Sequence, residues 1–219
     1  MNINSEIKIT FNEKEHRYFD QFKREYTSVT TFIGKQFPFD ADEVIAKIQT
    51  YPQSKYYKMP AEEIKALWEN TAVQGNRVHN ACEDFLKEGK FPKDSDLQPL
   101  VHQFSKLKFK GEVLSEYIVF DERYLLAGMA DIIEVCDDVI YVSDIKTSNK
   151  IEDDKLFQYS IQLELYRRFC QRLFNKKAVS LGIFHFENFV KYGANTRMNF
   201  IRPFDVGDMC DSMLKSVNI

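Results

Sequence analysis

Residues 128–146 read Gly128-Met129-Ala130-Asp131-Ile132-Ile133-Glu134-Val135-Cys136-Asp137-Asp138-Val139-Ile140-Tyr141-Val142-Ser143-Asp144-Ile145-Lys146. Two runs rich in Val and Ile flank Asp137-Asp138, the pattern of a β-hairpin closed by a short polar turn. With those two aspartates as the loop, Cys136 faces Val139, and counting outward places Asp131 directly opposite Asp144. Opposed residues have Cβ atoms roughly 5 Å apart, and like charges there repel. Lys146, two residues beyond Asp144, projects from the same face. Two carboxylates and an ammonium on one face of an apolar hairpin predict a divalent-cation site of the kind that hydrolyses phosphodiesters. The plainer alternative is a salt-bridged hairpin in which Lys146 pairs with Asp144.

The strand before this hairpin spans Glu112 to Phe120 and carries Glu116 at its middle. A four-residue turn, Asp121-Glu122-Arg123-Tyr124, places Glu116 opposite Met129, diagonal to Asp131 and on its face. A loop one residue longer or shorter flips that placement, because side chains alternate with period two. A mid-strand Glu between apolar neighbours wants a partner, since burying a bare carboxylate is expensive. Asp131, Asp144 and Glu116 would supply the oxygen ligands that Mg²⁺ or Mn²⁺ prefers, with the Ile145 carbonyl as a main-chain donor.

Upstream, Pro60 opens a long helix that Gly89 ends. Its apolar stripe runs through Ile64, Leu67, Trp68, Thr71 and Val78 towards Phe85 and Leu86. His79 and Glu83, four apart, share one face, and Gly75 lies a turn earlier on it, where a missing side chain admits another backbone or a phosphate. Taken alone, such a His–Glu pair is an ordinary surface pair; beside the hairpin it becomes a second wall for the metal. Downstream, a helix over 154–174 carries Gln162 and Tyr166 on a face shared with Tyr159. Its basic end includes Arg167 and Arg168, which suit the helix dipole and are also candidate phosphate contacts.

The remaining segments complete one α/β unit of mixed sheet and helices. Residues 6–11 alternate like a strand, with His16-Arg17-Tyr18-Phe19 as its returning partner. Thr27 or Ser28 caps a short helix ending near Gly34, with Tyr26 buried. Capping is the first reading of Ser28 and Thr30, and phosphate holding at a hydroxyl-rich helix start is the second. Helices are expected over 40–50 and 97–109, strands over 179–186 and 196–201, and a last helix capped by Asp205. Residues 1–60 would elaborate the fold, 61–186 form the core, and 187–219 add a strand and helix within one domain.

Composition narrows the function classes. The chain has 219 residues, 44% hydrophobic and 29% charged, with a net charge of −3, which does not suggest a protein that coats DNA indiscriminately. The 19 Phe and 11 Tyr exceed what a core alone would need and leave rings for stacking on bases. Cys82, Cys136, Cys170 and Cys210 are widely spaced without a Cys-x-x-Cys pair, so neither a zinc site nor a disulfide framework is expected. The first residues lack a signal-peptide pattern and no apolar run reaches membrane-spanning length, so a soluble, intracellular, cytoplasmic protein without membrane contact is expected.

Taken together, Glu116, Gly128-x-x-Asp131, Asp144-Ile145-Lys146-Thr147 and Gln162-x-x-x-Tyr166 resemble the motif series of the PD-(D/E)XK nucleases, specifically the RecB-type branch. Gly75-x-x-x-His79-x-x-x-Glu83 resembles that branch's helical histidine motif. Tyr26-x-Ser28-Val29-Thr30 is similar to a segment of phage-encoded and mitochondrial genome maintenance exonucleases. The motifs cover residues 26 to 166 in the family's order; each is weak alone, and together they are strong. The resemblance implies an α/β fold with a central mixed β-sheet flanked by helices, like restriction endonucleases. It implies Asp131, Asp144 and the Ile145 carbonyl as metal ligands and Lys146 as the catalytic lysine. Glu116 would be a further acid, His79 a metal ligand or phosphate contact, and Gln162 and Tyr166 would orient the site and the nucleic-acid backbone. It further implies Mg²⁺ or Mn²⁺ as cofactor and DNA ends, single-stranded or duplex, as partner, in replication, recombination or repair. The expected activity is that of an exonuclease; a structure-specific endonuclease of the same fold and a non-catalytic nucleic-acid-binding protein are the alternatives. The cysteine spacing departs from relatives that hold an iron–sulfur cluster, so none is expected. The sequence also carries no helicase domain, so a free-standing nuclease, or one that borrows a motor from a recombination or replication partner, is expected.

Overall fold

The computed structural model describes residues 6–15 and 17–217; His16 and the opening residues 1–5 lie outside them. Strands β1 (Ile9–Asn12), β2 (Arg17–Asp20) and β3 (Glu25–Ser28) lead into helix α1 (Val29–Gln36). Helices α2 (Ala41–Thr50), α3 (Ala61–Glu88) and α4 (Gln98–Phe104) follow. The centre of the chain is β4 (Glu112–Asp121), β5 (Leu126–Val135), β6 (Val139–Ser148), α5 (Asp153–Phe174) and β7 (Lys177–Glu187). The chain closes with α6 (Phe189–Tyr192), a 3-10 turn, β8 (Arg197–Ile201) and α7 (Gly207–Lys215). The result is a mixed sheet of eight strands flanked by helices, ordered β1-β2-β3-β5-β6-β7-β8, with β4 paired to β5. Among the described residues no helix is long and apolar enough to cross a membrane.

Local chemistry explains most of the boundaries. Asp40 caps α2 by accepting from the Asp42 and Glu43 amides, each at 3.0 Å, and Gly89 ends α3 in the left-handed conformation that lacks a Cβ penalty. Parallel β6 and β7 need a long crossover, and α5 supplies it. The two faces of the sheet are covered by different helices. Ile133, Ile140 and Val142 pack with Leu165, Phe169 and Cys210 of α5 and α7, whereas Ile132, Ile145 and Phe184 pack with Val78, Cys82 and Phe104 of α3 and α4. Residues at odd and even positions of one strand therefore serve two separate cores.

Several boundaries differ from the sequence expectation. The helix capped by Ser28 runs through Gly34 to Gln36, because nothing crowds that glycine and its φ is not positive. The helix expected over 97–109 stops at Phe104, and the lysine-rich residues after it lie outside any helix. The last helix takes Val206 as its cap residue, while Asp205 still accepts from the Gly207 amide at 3.2 Å. Strand β3 was not expected. It pairs parallel with β5 through Thr27 and Ser28 opposite Leu126 and Ala127, a contact between distant segments that local patterning does not carry.

Candidate metal centre

The hairpin has the register read from its turn. Ile132 pairs with Ser143, Ile133 with Val142, Glu134 with Tyr141 and Val135 with Ile140, and the Cys136 amide donates to the Val139 carbonyl at 2.9 Å. The last pair of the ladder is Ile132 with Ser143, so Asp131 and Asp144 are the first residues beyond it. Beyond this point β6 continues only with β7, while β5 takes β3 as its neighbour. The two aspartates therefore sit at the fork where β5 and β6 part. An irregularity between Val142 and Ser143 in the β6–β7 pairing lies immediately before it, and such features bend a strand and re-aim its side chains.

Glu116 comes closer than the sequence suggested. The turn comprises residues 122–125, so Asp121 pairs with Leu126, and the ladder runs through Ser115–Ile132 and Tyr117–Ala130. Glu116 therefore faces Asp131 directly instead of Met129; the register moved by a full pleat, so its face was unchanged. Glu116 itself is skipped by the ladder and has φ +50°. A non-glycine residue in that region costs energy and tends to be held where function needs it. Ligand atoms of His79, Glu116 and Asp131 all lie within 4.8 Å of one another.

The second wall comes from α3. His79 Nδ1 is 3.5 Å from Asp131 Oδ2, so the ring reaches across the fork from the face opposite α5. Its imidazole also interacts with the Ile145 carbonyl, while the Ile145 amide donates to Asp131 Oδ2 at 2.7 Å. One residue thus holds an aspartate through its N–H and offers its carbonyl to the same opening. Glu83, one turn after His79, is paired with Lys87. At Gly75, one turn before, a Cβ would lie 2.6 Å from Thr147 Oγ1, so the missing side chain lets α3 pack against β6.

Asp144 is 2% exposed. Its Oδ2 lies 2.5 Å from Lys146 Nζ, so the ion pair of the plainer reading is present. Neither oxygen, however, has a hydrogen bond of acceptable geometry, which leaves a buried carboxylate with unused lone pairs. Lys146 Nζ also lies over the Tyr159 ring, 4.9 Å from its centroid.

The electrostatics follow from crowding in a poorly solvated fork. Burial, with Asp131 and Glu83 adding to it, pushes Glu116 up to about 7. Burial also lifts Asp144 to about 6, against the pull of Lys146, and raises Asp131. Burial alone would lower Lys146, but Asp144 and Asp131 outweigh it and hold the ammonium above its usual range. His79 falls to about 4 through burial and the neighbouring Lys146, so at neutral pH its ring nitrogen keeps a free lone pair.

The other expected site residues take supporting positions. Gln162 and Tyr166 are buried in α5, joined Nε2 to hydroxyl at 3.3 Å, and the Tyr166 ring fills the space above Gly128. A Cβ at Gly128 would lie 2.5 Å from that ring and hydroxyl. Gly128→Ala is therefore expected to cost about 1–3 kcal/mol through overpacking, read as a lower urea midpoint with unchanged slope. Ser28 caps α1, accepting from the Thr31 amide at 3.0 Å, and its hydroxyl lies 3.1 Å from that of Thr30; Tyr26 is 1% exposed. These hydroxyls are engaged with each other and the helix start, as the capping reading has it. Arg167 and Arg168 both pair with Glu164 at 2.7 Å, and Arg168 also reaches Asp211 and the Gly207 carbonyl at 3.0 Å. Arg168 thereby ties α5 to α7, while Arg167 is held within α5 and donates to the Ala178 carbonyl of β7 at 3.4 Å. His185, not singled out from sequence, lies beside Lys146 on β7 and meets the Ser148 hydroxyl at 2.9 Å. Its only sequence signal was a histidine inside an apolar strand.

No protein-family model matches the chain, and no curated protein does. Among solved structures it is similar to the crystal structure of SSO0001, at 16% identity over 88% of this chain and 74% of that one, with a TM-score of 0.38. At that score the likeness bears on neither fold nor function.

Proposed function

We propose that this protein is a Mg²⁺- or Mn²⁺-dependent deoxyribonuclease that hydrolyses phosphodiester bonds from DNA ends, on single-stranded or frayed termini. The observation that carries this reading is the convergence of His79, Glu116 and Asp131 beside the buried Asp144–Lys146 pair, at a fork opened in an otherwise apolar sheet. The order of the motifs, similar to that of the RecB-type nucleases, supports it independently.

The donor set fits a divalent cation. Three crowded carboxylates with raised proton affinity, a main-chain carbonyl and a neutral imidazole form an anionic pocket whose positive partner is Lys146. Glu116, Asp131, Asp144 and the Ile145 carbonyl would hold a hard cation, and the His79 nitrogen makes Mn²⁺ as acceptable as Mg²⁺. When bound, the cation supplies Lewis acidity towards the phosphoryl group and lowers the pKa of water.

The chain's own residues divide the remaining work. Lys146 stays protonated at neutral pH, so it serves as a fixed positive charge facing the phosphate and as a hydrogen-bond donor, not as a base. Glu116, lifted to about 7 by burial and its acidic neighbours, is a carboxylate whose proton a bound cation would displace. Tyr159 holds the Lys146 ammonium in place. Digestion of end-labelled DNA by wild type and Lys146→Ala, with Mg²⁺, Mn²⁺ or EDTA, tests the reading. A covalently closed circle in parallel separates end-dependent cleavage, which spares it, from an endonuclease, which opens it.

A further inference from the structure

A row of rings and ammonium groups leads away from the centre. On α3, Trp68 lies eleven residues before His79, three turns back on the same face and about 16 Å away along the axis. Its ring meets Phe39 at 6.1 Å and Tyr56 at 6.4 Å between centroids, and its indole N–H donates to the Tyr56 hydroxyl at 3.2 Å. Across from it, Lys155 in the first turn of α5 places its ammonium 5.7 Å from the Phe39 centroid. One turn further along α5 comes Tyr159, whose ring carries Lys146. Ring, ammonium, ring and ammonium thus alternate from Phe39 to the catalytic lysine.

Core packing does not explain this arrangement. Phe39 is 61% exposed, and Lys155 is exposed as well. Lys55 lies 4.7 Å from the Tyr56 centroid, so a second ring also has a cation at its face. Beside them a pocket of about 260 Å³ is lined by Lys55, Tyr56, Thr71 and Asn149, the last only three residues beyond Lys146. An exposed ring beside half-buried ones, with ammonium groups at the ring faces, suits a flexible polyanion with flat, apolar side groups. Bases stack on the rings while the ammonium groups turn to the phosphates. A duplex does not fit this description, because its bases are already stacked on one another.

We propose that Phe39, Trp68 and Tyr56, with Lys155 and Lys55, form a stacking platform that receives single-stranded DNA and aims it at the Asp131–Asp144–Lys146 fork. This rests on the nuclease reading for its destination, but strand binding can be measured apart from cleavage.

Trp68 is the sole tryptophan of the chain, so its fluorescence reports on the platform directly. The full-length protein is titrated with oligo(dT) in EDTA, where binding proceeds without metal-dependent cleavage. Saturable quenching is expected. Phe39→Ala, a change at an exposed ring, weakens the apparent affinity by roughly ten-fold or more, as the loss of one stacked base does. Lys155→Ala weakens it too and lowers the slope of log affinity against log salt by about 0.7. Circular dichroism confirms that both variants fold. Absence of quenching, or wild-type binding by both variants, overturns the platform. Equal quenching by a closed hairpin duplex also overturns it, by removing the commitment to single strands. Retained quenching in a protein that cleaves DNA with no metal supports the platform and sinks the nuclease reading, so the two failures are distinguishable.

Discussion

On the proposed nuclease reading, replacing Asp144 by Asn or Lys146 by Ala is expected to lower the rate of metal-dependent DNA cleavage on the order of 10³-fold or more, with binding of the strand largely kept. Asn preserves the shape of Asp144 but removes a charge that the cation needs, so its effect falls on the chemistry and on metal affinity. Lys146→Ala removes the positive charge that would face a phosphate in a site where only about 19% of that side chain is exposed, and a buried electrostatic contact is worth far more there than in water. Removing one member of a buried ion pair can cost several kcal/mol of stability. Here the loss is softened because Asp144, at about 6, readily takes a proton. Thermal melting beside the end-labelled assay separates the two effects: activity lost with most of the melting temperature retained is expected. Undiminished cleavage by Lys146→Ala, or cleavage in EDTA, removes the mechanism.

The second large effect couples pH, metal and stability. An acid whose pKa is raised on folding binds its proton more tightly in the native state, so stability falls as pH rises from its unfolded to its folded value. Glu116 spans 4.5 to about 7 and Asp144 spans 3.8 to about 6. His79 works in the opposite sense. Its depressed value means that the unfolded chain binds the extra proton between about 4 and 6.5, which makes stability rise with pH there. Between pH 4.5 and 6 the histidine opposes Glu116 and Asp144, but Asp131 is raised in the same sense as those two acids, so a net decline from the site remains. In EDTA the melting temperature is therefore expected to fall from pH 4.5 to 6, and Glu116→Gln to flatten the fall. A divalent cation replaces the protons, so Mn²⁺ raises the melting temperature more at pH 7.5 than at pH 5. A Mn²⁺ effect independent of pH would show that these carboxylates are not where the metal binds.

How much of this was legible depends on whether the determinant is local. The hairpin register was, because a two-residue polar turn between apolar runs fixes every later pair by counting, and the ladder keeps that count from Val135–Ile140 to Ile132–Ser143, one step short of the aspartates. The helix of His79 was legible from Pro60, Gly89 and its apolar stripe. Glu116 was half legible: alternation gave its face, but the turn begins one residue later than its polar residues suggest, so it meets Asp131 instead of Met129. Ser28 read correctly as a cap because capping is a matter of three residues. Gly75 did not, since what fills its missing side chain is Thr147, seventy-two positions away.

Sequence alone determined that two carboxylates and a lysine share one face of a strand pair, that a histidine rides a long helix, and that the chain is an α/β unit with a mixed sheet and helices. These follow from periodicity, turn chemistry and capping, which act over a few residues. Only the tertiary structure decided that β5 and β6 part at the aspartates, just past the Ile132–Ser143 pair, that β3 takes the vacated edge, and that His79 reaches Asp131 from the far face of the sheet. It also decided that Arg167 and Arg168 are spent on Glu164, and that Phe39, Trp68 and Lys155 meet along one approach. Those outcomes depend on which distant surfaces bury each other, and burial is settled by the packing of the whole chain rather than by any one stretch of it.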